Sequence, residues 1–259
     1  MRKTLLILVV VVLARMAGSA DTPPAETKAG EMVLVPAGEF IMGNDRGEAD
    51  EKPEHKVYLD AFYIDKYETT VDQYGKCAQA GKCTKPNEGG GCNWGKSDRG
   101  KHPINCVDWN QVKTYCEWAG KRLPTEAEWE KAARGTDGRK YPWGNEQAAC
   151  DYAIFDSGNN NGCGKNSTWP VGSKPKGASP YGAMDMAGNV WEWVADWYDA
   201  NYYQHSPRRN PTGPASGKAC VLRGGSWGDD PEYFRSSFRL WLTPDIKNYY
   251  VGFRCAMTR

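Results

Sequence analysis

Residues 181–197 read YGAMDMAGNVWEWVADW, and this stretch indicates how the chain is organised. Gly188 and Asn189 tolerate a left-handed backbone, so the chain can turn sharply there. Residues 190–193 follow as a strand, because tryptophan alternates in them with valine and glutamate. We therefore expect a tight turn that leads into a strand whose tryptophan face packs in an aromatic core.

Two carboxylates flank this turn and suggest a cation site. Asp185 precedes the turn, and Glu192 shares a strand face with Val190. Their oxygens, together with carbonyls of the turn, could converge on a hard cation such as calcium. Alternatively, both carboxylates cap backbone amides, because a shared turn needs no ion. Residue spacing alone favours this second interpretation.

The N-terminus has the pattern of an export signal. Two basic residues precede an apolar run at 5–14, and small residues at 17–20 form a cleavage site. The run is short for a membrane span, although Arg15 leaves an uncleaved anchor as an alternative. No cysteine follows the cut, which argues against a bacterial lipoprotein anchor. We predict a signal peptide at residues 1–20 and a secreted or periplasmic protein.

The rest of the chain, roughly 239 residues, suits one large domain or two small ones. Residues 21–30 are polar, contain two prolines and are predicted to form a flexible linker. The composition, with 40% hydrophobic residues, 29 glycines and 11 tryptophans, is typical of a loop-rich globular fold. The net charge of +1 gives no electrostatic reason to expect nucleic acid or an anionic membrane surface as a partner.

Nine cysteines in an exported chain indicate disulfides rather than a metal cluster. Their spacings lack the paired C-x2-C units of zinc sites. Local pairs close short loops and are the simplest predictions: Cys77 with Cys83, Cys92 with Cys106, and Cys150 with Cys163. An odd count leaves at least one thiol free or intermolecular.

Three helices are predicted from capping boxes, in which threonine or aspartate is followed three residues later by glutamine or glutamate. They begin after Thr70, Asp108 and Thr125. Each ends at a glycine, a common C-terminal signal: Gly81, Gly120 and Gly135. The apolar spacing of the second helix puts Cys116 on its buried face.

Strands are predicted from β-prone and alternating segments at residues 31–42, 55–64, 169–173, 220–222 and 251–256. Pro36 makes the first of them a hairpin or a bent strand. The second changes phase near its end, which indicates a bulge.

Residues 198–219 form a long polar loop, and a loop of this length often carries function. Several of its side chains are favoured contact residues that could line a groove: Tyr198, Tyr202, Tyr203, Arg208 and Arg209. Alternatively, these side chains cover the core.

Six motifs in one order carry a family resemblance. They are VPAGEFIMG at 35–43, RLPTEAEWEKAARG at 122–135, YPWGN at 141–145, GAMDMAGNVWEW at 182–193, LRGGSW at 222–227 and GFRCA at 252–256. The chain resembles the formylglycine-generating enzyme, or sulfatase-modifying factor, family over roughly residues 31–257. The resemblance implies a single irregular α+β domain at residues 31–259, a variant of the C-type-lectin-like fold with little regular secondary structure. Enzymes of this family use oxygen and copper(I) to oxidise the cysteine of a Cys-x-Pro-x-Arg sulfatase motif to formylglycine.

The resemblance also implies site residues. A structural calcium ion would be held by Asp185 and Glu192 and by the carbonyls of Gly188 and Val190. A structural disulfide would join Cys116 to Cys255, which leaves Cys220 as the odd thiol once the local pairs form. Trp191 and Ser226 match positions that line the substrate groove of the family. A second calcium site of the family, within 150–162, does not match residue by residue and is not carried over.

The copper site is where the resemblance fails. The family uses two cysteines shortly after the GGS turn, because copper(I) is soft and prefers thiolates. After Ser226 this chain reads WGDDPEYFRSSFRLWLTPD, with no cysteine before Cys255. Asp229 and Phe234 fill the corresponding positions. A carboxylate is a hard ligand and cannot replace a thiolate pair at copper(I). We therefore expect no copper and no copper-dependent cysteine oxidation.

The sequence thus predicts an exported, calcium-stabilised module that binds a peptide, a protein or another ligand. The alternative is an oxidoreductase that converts a substrate cysteine to formylglycine or performs a related oxygen-dependent oxidation. A hard metal at Asp229, Asp230 and Glu232 is a weaker interpretation than a solvated acidic loop.

Overall fold

The computed structural model describes residues 30–259. The predicted signal peptide and all but the last residue of the predicted linker lie outside this range. The described residues form one domain with mixed helices and sheets and many irregular connections, which confirms the α+β prediction. No helix among them is both long and apolar enough to cross a membrane.

The three predicted helices are present and begin at the predicted caps. They are α1 Val71–Gln79, α2 Trp109–Trp118 and α3 Glu126–Arg134. In the first cap, Thr70 Oγ1 accepts from the Gln73 backbone N–H at 3.2 Å, and Gln73 Oε1 accepts from the Thr70 N–H at 2.8 Å. Four short 3-10 helices lie in the loops of the described part of the chain: Ala49–Glu51, Pro175–Gly177, Tyr202–Gln204 and Pro231–Phe234.

Within residues 30–259, nine short strands form three sheets. The strands are β1 Met32–Val35, β2 Gly38–Met42, β3 His55–Leu59, β4 Phe62–Asp65, β5 Trp191–Trp197, β6 Cys220–Arg223, β7 Leu240–Leu242, β8 Val251–Gly252 and β9 Ala256–Thr258. The strand orders are β1-β4-β9, β2-β3 and β7-β6-β5-β8. In the last sheet, β5 runs antiparallel to β6 and parallel to β8.

Several strand predictions were wrong in detail. Residues 31–42 do not form a hairpin, because β1 pairs with β4 while β2 pairs with β3. Residues 55–64 break into β3 and β4, which lie in different sheets, rather than bulging within one strand. Residues 169–173 form no strand, since Trp169 donates its backbone N–H to the Asn189 side chain and its indole N–H to Gly162 O. Residues 251–256 divide between β8 and β9.

The four predicted disulfides are all present: Cys77–Cys83, Cys92–Cys106, Cys116–Cys255 and Cys150–Cys163. The third spans 139 residues and ties α2 to the segment before β9. Cys116 is fully buried, as its helix position predicted. Four disulfides are typical of proteins outside the reducing cytosol.

Buried ion pairs join the sheet to α3. Arg223, the last residue of β6, donates to Glu126 Oε1 at 2.8 Å and to Glu130 Oε2 at 2.7 Å. Arg239 also donates to Glu126, at 2.7 Å. All four side chains are buried, and each charge has a partner of opposite sign. Helix α3 is therefore fixed against the four-stranded sheet.

A second buried pair fixes the strand after the Gly-Asn turn. Arg254 donates Nη2 to Glu192 Oε1 and Nε to Glu192 Oε2, both at 2.7 Å. Trp129 of α3 donates its indole N–H to Glu192 Oε2 at 2.8 Å. The tryptophans of β5 lie on the opposite face, in a cluster of buried aromatic and aliphatic side chains. The face assignment made from the sequence is confirmed.

We expect His102 to make the fold sensitive to acid. The residue is 9% exposed, and its Nδ1 lies 2.9 Å from Thr168 Oγ1. Burial, followed by the nearby charge of Arg99, lowers its pKa from 6.5 to about 4. Between these two pH values the unfolded chain binds this proton and the folded chain does not. The His102 contribution to stability is therefore complete above pH 6.5 and is lost as the pH falls towards 4.

We expect the free energy of unfolding to fall less in His102→Gln than in the wild type when the pH is lowered from 7 to 4.5. The difference should reach at most about 3 kcal/mol in the free energy of unfolding, since one pKa unit corresponds to about 1.4 kcal/mol. Urea unfolding at the two pH values measures it, with His205→Gln, an exposed histidine, as the control. Identical pH dependence in His102→Gln and the wild type would contradict this account.

Candidate functional site

The loop after β6 positions the candidate site through a glycine. Gly225 has a φ of +74°, and a Cβ there would lie 2.4 Å from the ring of Phe234. Only glycine permits both this backbone conformation and this close approach. The loop therefore packs directly on Phe234 and presents Ser226 to the next turn.

Asp229 lies at the centre of the site. Its Oδ2 accepts the backbone N–H of Ser226 at 2.9 Å, the indole N–H of Trp191 at 2.8 Å and the hydroxyl of Ser226. Burial raises its pKa, although these hydrogen bonds oppose the shift. The structure thus brings together the two predicted groove residues, Trp191 and Ser226, around one carboxylate.

The second position expected for a copper ligand is apolar. Phe234 is fully buried, and its ring packs edge-on against Phe155 with the centroids 5.3 Å apart. A phenyl ring in a packed core offers no metal ligand.

Among residues 30–259, Cys220 is the one free thiol. It is fully buried on β6, and burial, followed by repulsion from Asp196, raises its pKa to about 12. A buried thiol of this kind is an inert structural residue rather than a thiolate ligand. The residues present do not fit a two-thiolate copper(I) site.

Aromatic side chains surround this loop. The Trp227 ring centroid lies 4.9 Å from that of Tyr250 and 6.0 Å from that of Tyr249. The indole N–H of Trp227 is buried and has no hydrogen-bond partner among the described residues. An unpaired buried donor costs about 1–3 kcal/mol, so it calls for an explanation such as a bound water or ligand. Sequence reasoning missed both tyrosines, although only Val251 separates them from the last family motif.

A cavity of about 570 Å³ lies next to this site. One of its walls is Phe238, whose ring centroid is 6.0 Å from that of Trp191. Tyr198 and Tyr233 add further aromatic surface to its lining. We call this space the acidic cavity, because Glu48, Asp50 and Glu232 also line it.

Negative charge dominates the acidic cavity. Among the described residues that line it, the only cation is Arg235, which is paired with the buried Glu51. Glu48, Asp50 and Glu232 form no ion pair with any residue in 30–259. The space is therefore suited to a ligand that carries positive charge.

The groove predicted from the 198–219 loop does not form as expected. Tyr202 and Tyr203 are buried, and the Tyr203 hydroxyl donates to Glu126 at 3.3 Å. Arg209 binds Asp60 at the surface. Of the tyrosines and arginines named for this groove, Tyr198 lines the acidic cavity, and the two buried tyrosines cover the core.

The predicted calcium residues lie around the Gly-Asn turn. Asp185 has a φ of +57°, and its Oδ2 accepts the Gly172 N–H at 2.6 Å. Glu192 is already bound to Arg254 through both oxygens. Gly188 and Val190 lie between these carboxylates in the chain and would supply carbonyls.

A third carboxylate adds negative charge to this place. Glu68 accepts from the Asn189 side chain at 2.6 Å and from the Val190 N–H at 3.2 Å. Burial, followed by repulsion from Asp185 and Glu192, raises the Glu68 pKa well above its usual value. Burial likewise raises the Asp185 pKa to about 6. The excess of buried carboxylate charge suits a cation. Glu192, however, is already paired with Arg254. The calcium site therefore stays a prediction.

No group of three or more histidine, cysteine, aspartate or glutamate side chains in residues 30–259 is arranged to hold a metal ion. The acidic trio Asp229, Asp230 and Glu232 is therefore not such a site. The predicted calcium site draws on two carboxylates and two carbonyls.

Comparison with known proteins places this geometry in a family. A family model described as a sulfatase-modifying factor enzyme 1-like domain matches residues 18–259. The chain is 36% identical to a formylglycine-generating enzyme of Streptomyces coelicolor, over 93% of this chain and 96% of that enzyme. It is 37% identical to the serine/threonine-protein kinase pkn1 of Chlamydia caviae, over 87% of this chain but 38% of the kinase. Among solved structures, PvdO from Pseudomonas aeruginosa matches with a TM-score of 0.77 and 32% identity, covering 90% of this chain and 95% of PvdO. The chain therefore belongs to the sulfatase-modifying factor family, which includes the formylglycine-generating enzymes.

Proposed function

We propose that this chain is an exported, ligand-binding member of the family that does not oxidise cysteine with copper(I). The observation that carries the proposal is the Asp229 carboxylate, held by Ser226 and Trp191 where the family would place a thiolate. Copper(I) prefers thiolates, and the one free thiol in the described range, Cys220, is buried in the core. The four disulfides and the N-terminal sequence support export.

The ligand is an extended peptide that carries a basic side chain. Guanidinium and ammonium groups are attracted both to carboxylates and to aromatic rings, and the acidic cavity offers both. Phe238 contacts Trp191, so a peptide in this cavity extends towards Asp229. The basic side chain would lie between Asp50 and Glu232.

A second candidate function is an oxygen-dependent oxidation. It is favoured by the 36% identity to a formylglycine-generating enzyme over 96% of that enzyme's length. Such a reaction would need a centre other than a thiolate pair.

A Ser-Ala-Pro-Ala-Arg peptide should bind more tightly than its Ser-Ala-Pro-Ala-Gln counterpart. The serine prevents oxidation, so the measurement reports binding alone. Glu232→Gln should weaken the arginine peptide about two- to fivefold, because an exposed charge contributes up to about 1 kcal/mol. It should leave the glutamine peptide unaffected. Fluorescence anisotropy with labelled peptides measures both affinities.

Glu117→Gln is the matched control for this measurement. Glu117 is also an exposed glutamate, but it lies on α2 and lines a different cavity. Two results would exclude the acidic cavity as the recognition site. One is equal affinity of the wild type for the two peptides, and the other is an equal loss of affinity for the arginine peptide in Glu232→Gln and Glu117→Gln.

We also propose that calcium stabilises the fold, with Asp185, Gly188, Val190 and Glu192 as its ligands. The family resemblance and the excess of buried carboxylate charge around Arg254 support this proposal. Asp185 is the carboxylate to test, since Glu192 also holds Arg254.

Calcium should raise the melting temperature of the wild type by several degrees over a sample in EGTA. Saturation at 100 times the dissociation constant stabilises by about 2.7 kcal/mol, and about 1 kcal/mol shifts Tm by roughly 2–4 °C in a domain of this size. Asp185→Asn should fold in EGTA, because asparagine tolerates positive φ, but should gain nothing from calcium.

Differential scanning fluorimetry measures these shifts, with Asp151→Asn, an exposed aspartate paired with Lys176, as the control. A wild type with the same Tm in calcium and in EGTA would refute the calcium site.

A further inference from the structure

A second cavity, of about 660 Å³, shares Arg235 with the acidic cavity. Its lining carries four basic side chains, from Arg46, Arg134, Lys140 and Arg235. Nothing in the proposed function uses this space. We call it the basic cavity.

Arg134 lines the basic cavity and carries an unsatisfied buried donor. Its Nη1 donates to Gly43 O at 2.8 Å and to Glu130 Oε1 at 2.9 Å, and its Nη2 donates to Gly138 O at 3.0 Å. The residue is 6% exposed, and its Nε–H is buried without a partner in the described part of the chain.

Arg235 likewise has bonded Nη atoms and an unpaired Nε–H. Its Nη1 donates to Glu232 O at 3.0 Å, and its Nη2 donates to Glu51. Its Nε–H is also buried and unpartnered within residues 30–259, as is the hydroxyl of the next residue, Ser236. Native structures pair nearly all such groups, so unpaired Nε–H donors on two arginines that line one cavity indicate a missing acceptor.

The rim supplies further donors. Arg46 and Lys140 are exposed and form no ion pair with any described residue. Asn44 and Asn145 use their Oδ1 atoms to accept the backbone N–H groups of Arg46 and Lys140, at 3.0 and 2.9 Å. Their side chains therefore offer mainly N–H donors to a ligand.

Acidic groups limit the charge of the cavity but do not satisfy these donors. Glu130 and Glu51 neutralise Arg134 and Arg235 through their Nη atoms. Asp45 and Glu54 also line the cavity, and their carboxylates offset the charges of Arg46 and Lys140. Asp45 Oδ1 accepts the backbone N–H of Glu54. Hydrogen-bond donors, rather than a large net charge, thus distinguish the basic cavity.

We propose that the basic cavity binds a tetrahedral oxyanion, either free phosphate or sulfate or the same group on a larger ligand. The oxygens of this ion would accept from the Nε–H groups of Arg134 and Arg235, and Arg46 and Lys140 would add further donors at the rim. Arginine presents donors in a fixed fork that suits phosphate and sulfate oxygens. The proposal does not depend on the peptide-binding function.

Isothermal titration calorimetry with sodium sulfate and with sodium phosphate, each against sodium chloride at equal ionic strength, tests the site. The wild type should bind one ion of each kind saturably. The double variant Arg46→Gln/Lys140→Gln leaves the buried guanidinium pairs intact and should bind about tenfold more weakly, as expected for two exposed charges.

Lys113→Gln is the matched control. Lys113 is another exposed lysine that lies over an aromatic ring, 5.4 Å from the Trp109 centroid, as Lys140 lies 4.8 Å from that of Tyr141. It lines a different cavity and should leave the affinity unchanged.

Nuclear magnetic resonance of the arginine Nε–H groups gives an independent readout. The signals of Arg134 and Arg235 should shift on titration with sulfate, and that of the exposed Arg209 should not. Absence of saturable binding, unchanged affinity in the double variant, or Nε–H signals that do not respond would each overturn the proposal.

Discussion

Buried arginine–glutamate pairs are the interactions on which this fold depends. Arg254 holds Glu192, and Arg223 holds Glu126 and Glu130, in each case between segments far apart in the sequence. Removing one partner of such a pair leaves an uncompensated buried charge, which typically costs about 3–5 kcal/mol. With strands of only two to seven residues, the sheets have few ladder bonds of their own. The ion pairs and the long-range disulfide therefore hold together segments that regular secondary structure does not connect.

The same pairs place the candidate site. Glu192 neighbours Trp191 in β5, so fixing the glutamate also fixes the indole that binds Asp229. Arg223 directly precedes the glycine turn that carries Ser226. The family motifs are therefore largely structural, and they hold a loop whose chemistry can change without loss of the fold. In this chain that loop carries a carboxylate and a phenyl ring.

Features encoded by neighbouring residues could be predicted from the sequence. The capping boxes at Thr70, Asp108 and Thr125 each involve two residues three positions apart, and all three are present. The local disulfides could be predicted for the same reason, because each of them closes a short loop. The Cys116–Cys255 pair came from the family resemblance instead. Strand pairing was predicted less well, because β1 and β2 choose partners that no local pattern identifies.

The site could be predicted only in part. The family resemblance assigns Trp191 and Ser226 to a groove, and both bind Asp229 in the structure. The acidic cavity, in contrast, is assembled from three distant segments, at residues 48–50, 198–201 and 232–238. No local pattern brings such segments together. The sequence wrongly predicts Tyr203 as a groove residue for a related reason. It lies in a polar stretch that resembles an exposed loop, yet its hydroxyl reaches Glu126, 77 residues away, and that hydrogen bond allows its burial.

The claim that this site lacks copper–thiolate chemistry is tested most directly by mass spectrometry. A Cys-Ala-Pro-Ala-Arg peptide would be incubated aerobically with folded protein supplied with copper(I), after the four disulfides have been verified by mass. We expect the cysteine mass to remain unchanged. Conversion of the thiol to an aldehyde would contradict the account, and loss of that activity in Cys220→Ser would identify Cys220 as the thiol responsible.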